Sequence, residues 1–149
     1  MIPSMSLLMN LRVLVAPPVT VDPGVPGRRF IPIVGGTVEG VYAGRVLAGG
    51  GDWQSILPDG RLEISAHYIL DIDGHGAMEI RSDGVRSGPP EVLAALARGE
   101  IVDLSLYYFR TAVRMLTSAP GLARLNAVLA VAVGARAPDC VRLAVFEVG

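Results

Sequence analysis

Between Leu62 and Ile72 every second residue is apolar: Leu62, Ile64, Ala66, Tyr68, Leu70 and Ile72. The residues between them, Glu63, Ser65, His67 and Asp71, are polar, as is Arg61 before them, and Ile69 is the one exception. Successive side chains of a strand point to opposite faces, so a period of two dictates a strand with one apolar and one polar face. The next segment repeats the pattern, with Met78 and Ile80 apolar and Glu79 and Arg81 charged. The turn Asp73-Gly74 joins the two. A two-residue turn would place Met78 and Ile80 on the face of Glu63 and His67, whereas an odd-length loop such as 73–75 keeps apolar with apolar. The pattern therefore predicts a hairpin with a three- or five-residue loop.

The rest of the chain reads the same way. Eighteen glycines and eleven prolines fall in short clusters between β-branched runs, which suits many turns and strands rather than a helical bundle. Extended segments are predicted at residues 7–15, 28–34, 38–46, 52–56, 101–114, 127–133 and 141–148. One helix is predicted at 89–98, with Pro89 at its start, Glu91 in its first turn and Gly99 after its end. A short helical turn is expected at 121–126. The glycines Gly49-Gly50-Gly51 before Asp52-Trp53 are poor in helix and strand interiors alike and suggest a pocket in a β-barrel. With 149 residues and no internal repeat or linker, the chain is expected to form one domain, 1–149, burying roughly 68–70% of its unfolded surface.

Composition excludes several functions. The net charge of −1 is scattered with no basic stripe, so no nucleic-acid partner is expected. All thirteen basic residues are arginine, which removes Schiff-base chemistry and a phosphate-loop lysine. A hydrophobic share of 51% is high, yet no apolar run of about 18 residues exists to span a membrane. The expected outlet for the surplus apolar surface is a homodimer interface. Residues 1–15 are apolar without a positively charged leader, and the single Cys140 cannot form an internal disulfide, so the expected compartment is the cytoplasm. His67 and His75 are the only histidines, and His75 falls in a turn, so neither a metal site nor any other cofactor is expected.

The candidate site residues come from three places. Asp52 beside Trp53 and behind glycines suits an apolar ligand with one polar group; equally, Trp53 could plug a barrel end while Asp52 caps a turn. The polar face Arg61, Glu63, Ser65, His67, Glu79 and Arg81 is either a solvated outer face or a polar lumen in which His67 titrates. In Tyr107-Tyr108-Phe109-Arg110, Tyr107 and Phe109 face one way and Tyr108 and Arg110 the other. A Tyr108–Arg110 pair facing a cavity could stabilise an oxyanion. Arg86 is a further anion-binding candidate, read as lying on a loop.

Taken together, Gly27-Arg28-Arg29, Ile31-Pro32-Ile33, Gly35-Gly36-Thr37, Gly50-Gly51-Asp52-Trp53, Tyr68, Asp73-Gly74, Gly84 with Arg86, Gly88-Pro89-Pro90, Tyr107-Tyr108-Phe109-Arg110-Thr111 and Leu125-Asn126 resemble a widespread family. It is the bacterial and fungal family of small β-barrels known as domain of unknown function thirty-two thirty-seven, and the resemblance covers nearly the whole chain. It implies an all-β fold: a single antiparallel up-and-down, calycin-like β-barrel with one short helix near residues 89–98. It also implies frequent dimerisation and a cavity near the Asp-Trp motif, but no established general reaction. Three departures stand out: His67 in place of an arginine, Met115-Leu116-Thr117 without the usual acid, and Arg124 in place of an aromatic.

These readings combine into an expected cofactor-independent enzyme of the isomerase, cyclase or lyase type, acting on a hydrophobic small molecule. Asp52, His67, Tyr108 and Arg110 are its expected catalytic residues, and Trp53, Tyr68, Arg86 and Asn126 its ligand-binding residues. The alternatives are a non-catalytic small-molecule-binding barrel and a structural oligomerisation module.

Overall fold

The computed structural model describes residues 1–149. Its strands are β1 (Met5–Val15), β2 (Val19–Asp22), β3 (Gly27–Gly40), β4 (Gly44–Val46), β5 (Gly51–Ile56), β6 (Leu62–Ile72), β7 (Gly76–Ser87), β8 (Tyr108–Leu116), β9 (Ala130–Arg136) and β10 (Cys140–Val148). One α-helix, α1 (Pro90–Ala97), follows β7, and 3₁₀ turns occupy Leu104–Leu106 and Pro120–Ala127. Every strand pair is antiparallel. From β6 to β10 each strand lies beside the next in sequence, and β1 pairs with both β10 and β3. That double pairing closes an eight-stranded barrel, in which β4 and β5 share one position between β3 and β6 while β2 folds back on β3.

The hairpin predicted from residues 61–82 forms with the expected parity. Ile72 pairs with Gly76 across a three-residue loop, and Gly74 takes a φ of 76°, a region that glycine enters without steric cost. Its apolar face turns inward. Leu62, Ile64, Tyr68, Leu70 and Ile72 of β6 meet Met78 and Ile80 of β7 in the interior, joined by Val38, Val113, Met115 and Val145 from the other staves. One end of the barrel is filled solid. There the 3₁₀ segment Pro120–Ala127, packed against β8, contributes Leu122 and Leu125, both almost fully buried, to the same core cluster as Leu70, Met78 and Met115.

Several boundaries differ from those predicted. Residues 38–46 do not form one strand, because β3 runs on to Gly40 and β4 then returns beside it, pairing Gly44 with Val38. Residues 101–107 form no strand either. The Asp103 carboxylate accepts hydrogen bonds from the Ser105 N–H at 2.8 Å and hydroxyl at 2.7 Å, and this local cap turns the chain before β8 begins. The helix lies at Pro90–Ala97, and Arg86 sits inside β7 rather than on a loop. A further short strand, β2, pairs with β3 outside the predicted extended segments. No helix is long and apolar enough to cross a membrane.

The plugged end carries a direct stability test. Leu122→Ala should lower the free energy of unfolding by about 2–5 kcal/mol, the usual range for a fully buried leucine. Leu104→Ala, on the exposed turn, should change it by no more than about 0.5 kcal/mol. Urea unfolding curves of the two variants distinguish these outcomes.

Candidate active site

At the other end the interior is not filled. A cavity of about 50 Å³ lies among Val13, Val15, Ile31, Ile33, Ile64, Ala66, Phe109, Val141 and Leu143, an apolar wall contributed by five strands. Into this wall are set Arg29, Asp52, Gln54, Tyr68, Ser82, Arg86, Thr111 and Arg136. Strand alternation selects them. In β5, Asp52 and Gln54 share the inward face, and in β3 Arg29 shares its face with Ile31 and Ile33. In β7, Arg86 continues the inward row of Met78, Ile80, Ser82 and Gly84.

The polar groups form a short relay. Arg29 Nε donates to Gln54 Oε1 at 2.8 Å, and Gln54 Nε2 donates to Asp52 Oδ2 at 2.6 Å. The register that pairs Arg29 with Gln54 across β3 and β5 makes the first contact possible. The other carboxylate oxygen, Asp52 Oδ1, is buried without a hydrogen-bond partner. Burial pushes the Asp52 carboxyl up to about 6, against the opposing pull of Gln54, the Ser65 backbone, Arg29 and Arg86. The Tyr68 phenol is also pushed up, by burial and by Asp52, so it stays a neutral hydroxyl.

Arg86 is 6% exposed, and its Nε–H has no partner. Burial and the neighbouring guanidiniums of Arg29 and Arg136 push it down to about 10. Arg136 is anchored at the mouth, where its Nη1 donates to the carbonyls of Ala137 and Cys140, while its backbone N–H donates to the Tyr107 hydroxyl at 3.1 Å. Ser82 and Thr111 satisfy each other at 2.8 Å. No three His, Cys, Asp or Glu side chains come together to ligate a metal ion.

Of the residues expected at the site, Asp52, Tyr68 and Arg86 come together around the cavity. The others lie elsewhere, and in most cases the same alternation is the reason. Trp53 follows the inward Asp52 and therefore points out, where it is 43% exposed and packs on Phe30 with ring centres 4.7 Å apart. The Phe30 ring lies over Gly51, where a Cβ atom would come within 2.1 Å of it. His67 precedes the inward Tyr68 and lies on the outer face, 2.6 Å from Glu79 Oε2. The polar face of the hairpin is thus the solvated one. Tyr108 and Arg110 flank the inward Phe109 and stack on each other outside, the guanidinium 5.1 Å from the ring centre. Asn126 bonds both the N–H and the carbonyl of Thr117 and pins the plug in place.

The departures from the family pattern also fall outside the cavity. His67 is on the outer face, Leu116 pairs with Glu79 at the far end of β8, and Arg124 is exposed against Glu147. Sequence reasoning missed Arg29, Gln54 and Arg136 as site residues. The available signal was a charged or polar side chain on the continuation of an apolar face, as in Arg29-x-Ile31-x-Ile33.

Comparison with known proteins agrees with this architecture. The family model described as protein of unknown function (DUF3237) matches residues 3–148. UPF0311 proteins of Clostridium acetobutylicum and Bradyrhizobium diazoefficiens are 37% and 38% identical over 128 and 127 residues. Those matches cover 85% of this chain in both cases, and 81% and 84% of the relatives. Among solved structures, a conserved protein of unknown function from Rhodopseudomonas palustris superposes with a TM-score of 0.94 at 33% identity, covering 99% of this chain and 98% of that one. A β-barrel-like protein from Acinetobacter baumannii gives 0.86 at 32% identity, covering 99% and 97%. A structure described as an enzyme from Penicillium herquei gives 0.75 at 17% identity over 99% and 95%, a likeness of fold. The motifs that suggested a family in the sequence therefore lie on that family's barrel, and the chain belongs to the family of proteins of unknown function DUF3237.

Proposed function

We propose that the protein is a cofactor-independent enzyme that moves a proton on a small hydrophobic substrate held in the barrel. The observation that carries this reading is Asp52, a largely buried carboxylate whose Oδ1 is fully buried and unpartnered, and the single acidic side chain in the lining of the cavity. Burial of a carboxylate without full hydrogen bonding costs stability, and sites that accept such a cost are commonly the ones that use the group. A carboxylate titrating near 6 is a competent general base at neutral pH and, once protonated, a competent general acid.

The chemistry follows from these groups. Asp52 takes a proton from a carbon beside a carbonyl, and the C–H electron pair moves into the carbonyl as an enolate. The neutral Tyr68 hydroxyl and the positive field of the arginines stabilise the oxygen that gains charge. Asp52 then returns the proton to another carbon, completing an isomerisation. In the lyase variant the enolate instead expels a leaving group from the β-carbon, which departs with its bonding pair and takes the proton from Asp52. In the cyclase variant the enolate carbon attacks a second carbonyl of the same substrate, whose π pair moves to its oxygen and accepts that proton. Gln54, held by Arg29, orients the carboxylate by binding its other oxygen. His67, Tyr108 and Arg110 have no part in this scheme. The enzyme from Penicillium herquei shares the barrel and is consistent with the fold hosting catalysis.

Deuterium uptake tests the proposal. Small enolisable ketones, butanone among them, are incubated with the protein in D₂O and followed by NMR. The protein should accelerate exchange at the acidic carbon, and Asp52→Asn should lower the rate at least 100-fold while leaving the circular dichroism spectrum intact. Because the base must be ionised, the rate should rise with pH through about 6 and then level off. Exchange equally fast in Asp52→Asn removes Asp52 from the mechanism. Binding without exchange leaves a ligand-binding barrel instead.

The same carboxyl has a thermodynamic signature. Its folded pKa, about 6, lies above the ordinary value of 3.8, so the folded state holds this proton more tightly and stability falls as pH rises between those values. Above pH 7 Asp52→Asn should therefore be more stable than the wild type, by on the order of 2–3 kcal/mol. The advantage should vanish near pH 4, as read by thermal unfolding across that range.

A further inference from the structure

The cavity holds more positive charge than its own carboxylate can balance. Arg29, Arg86 and Arg136 reach it from β3, β7 and β9, and Asp52 is the single acidic side chain in its lining. Each of the three guanidiniums is pushed down from its ordinary value chiefly by burial, and Arg29 and Arg86 also by a neighbouring guanidinium. Arg29 is committed to Gln54 and Arg136 to the carbonyls of Ala137 and Cys140. Arg86 is not committed: it is 6% exposed and its Nε–H has no protein partner. An unpaired buried cation is strongly unfavourable until an anion meets it.

We infer that Arg86, flanked by Arg29 and Arg136, is the binding subsite for a carboxylate on the substrate, which is a small organic acid with an apolar body. This rests on the reading of the cavity as the reacting site. The planar guanidinium presents parallel N–H groups that match the two oxygens of a carboxylate. The apolar lining formed by Val13, Ile31, Ile33, Phe109 and Leu143 excludes a fully hydrated anion but accepts the hydrocarbon part of an acid. The carboxylate at Arg86 brings the neighbouring carbons into the same small space as Asp52. A cavity of about 50 Å³ encloses only about two or three carbons of that hydrocarbon part, so a ring must extend into the mouth. The mouth itself is shared: Arg29 and Arg86 also border an outer cleft formed by Ile56, Pro58 and Leu62 with Pro90, Leu93 and Ala97 of α1. A longer apolar tail runs outward along that cleft.

The test compares acids with their uncharged isosteres. Binding of isobutyrate and benzoate, of isobutyramide and benzamide, and of inorganic phosphate is measured at pH 7.5 by ligand-observed NMR. The carboxylates should bind at least tenfold tighter than the matched amides and than phosphate. Arg86→Met should abolish most of that preference, and Arg136→Met should reduce it. Asp52→Asn should bind benzoate at least as tightly as the wild type, because it removes the competing negative charge. Equal binding of acid and amide overturns the subsite, as does a preference for phosphate or no binding of either carboxylate. If Arg86→Met fails to fold, the acid–amide comparison on the wild type decides alone. Carboxylate binding in a protein that exchanges no carbon-bound proton would retain the subsite and reject the acid–base role. Exchange on neutral ketones with no acid preference would do the reverse.

Discussion

β1 hydrogen-bonds along one edge to β10 and along the other to β3, and almost every feature of the molecule depends on that double pairing. Closure removes the free sheet edges and fixes an inside and an outside for every strand. Once the barrel is closed, neighbouring residues on a strand must lie on opposite sides of its wall. A one-residue difference in position then separates a cavity residue from a surface residue, as Asp52 is separated from Trp53, Tyr68 from His67, and Phe109 from Tyr108 and Arg110.

The interior divides into a filled half and a hollow half. Methionine, leucine and isoleucine side chains of β1, β6, β7 and β8, with Leu122 and Leu125 of the plug, close one end. At the other end Val13, Ala66 and Thr111 stand among larger apolar side chains, and the space left over is also lined by charge. The filled half stabilises the fold and the hollow half spends some of that stability on a buried carboxylate and three arginines. The Arg29–Gln54–Asp52 relay limits the cost by satisfying one carboxylate oxygen, and it leaves the other free.

Much of this fold was legible from periodicity. The alternation over residues 62–72 identified a strand, its apolar face and the parity of the following loop, because register in a half-buried hairpin follows the hydrophobic pattern. Proline and glycine placed the helix to within a residue at each end. Residues 101–107 were misread because Ile101, Val102 and Leu104 have strand-like composition, while the turn is set by hydrogen bonds of Asp103 that composition does not reveal. The site was legible in part. The glycines before Asp52 mark it in the sequence, but they mark its outward neighbour Trp53 equally, and the chemistry of Tyr108, Arg110 and His67 carries no information about the face each occupies. Arg29 and Arg136 were recoverable only by following the inward row of each strand to its end and asking what charge was doing there.

The central claim is that a carboxylate buried in this barrel is poised to exchange a proton near neutral pH. The most direct measurement is a titration of the Asp52 side-chain carboxyl carbon by ¹³C NMR, with its resonance assigned by difference from Asp52→Asn. A midpoint at about 6 supports the account. A midpoint near 3.8, the ordinary aspartate value, would mean a carboxylate fully solvated or fully paired, and would contradict it.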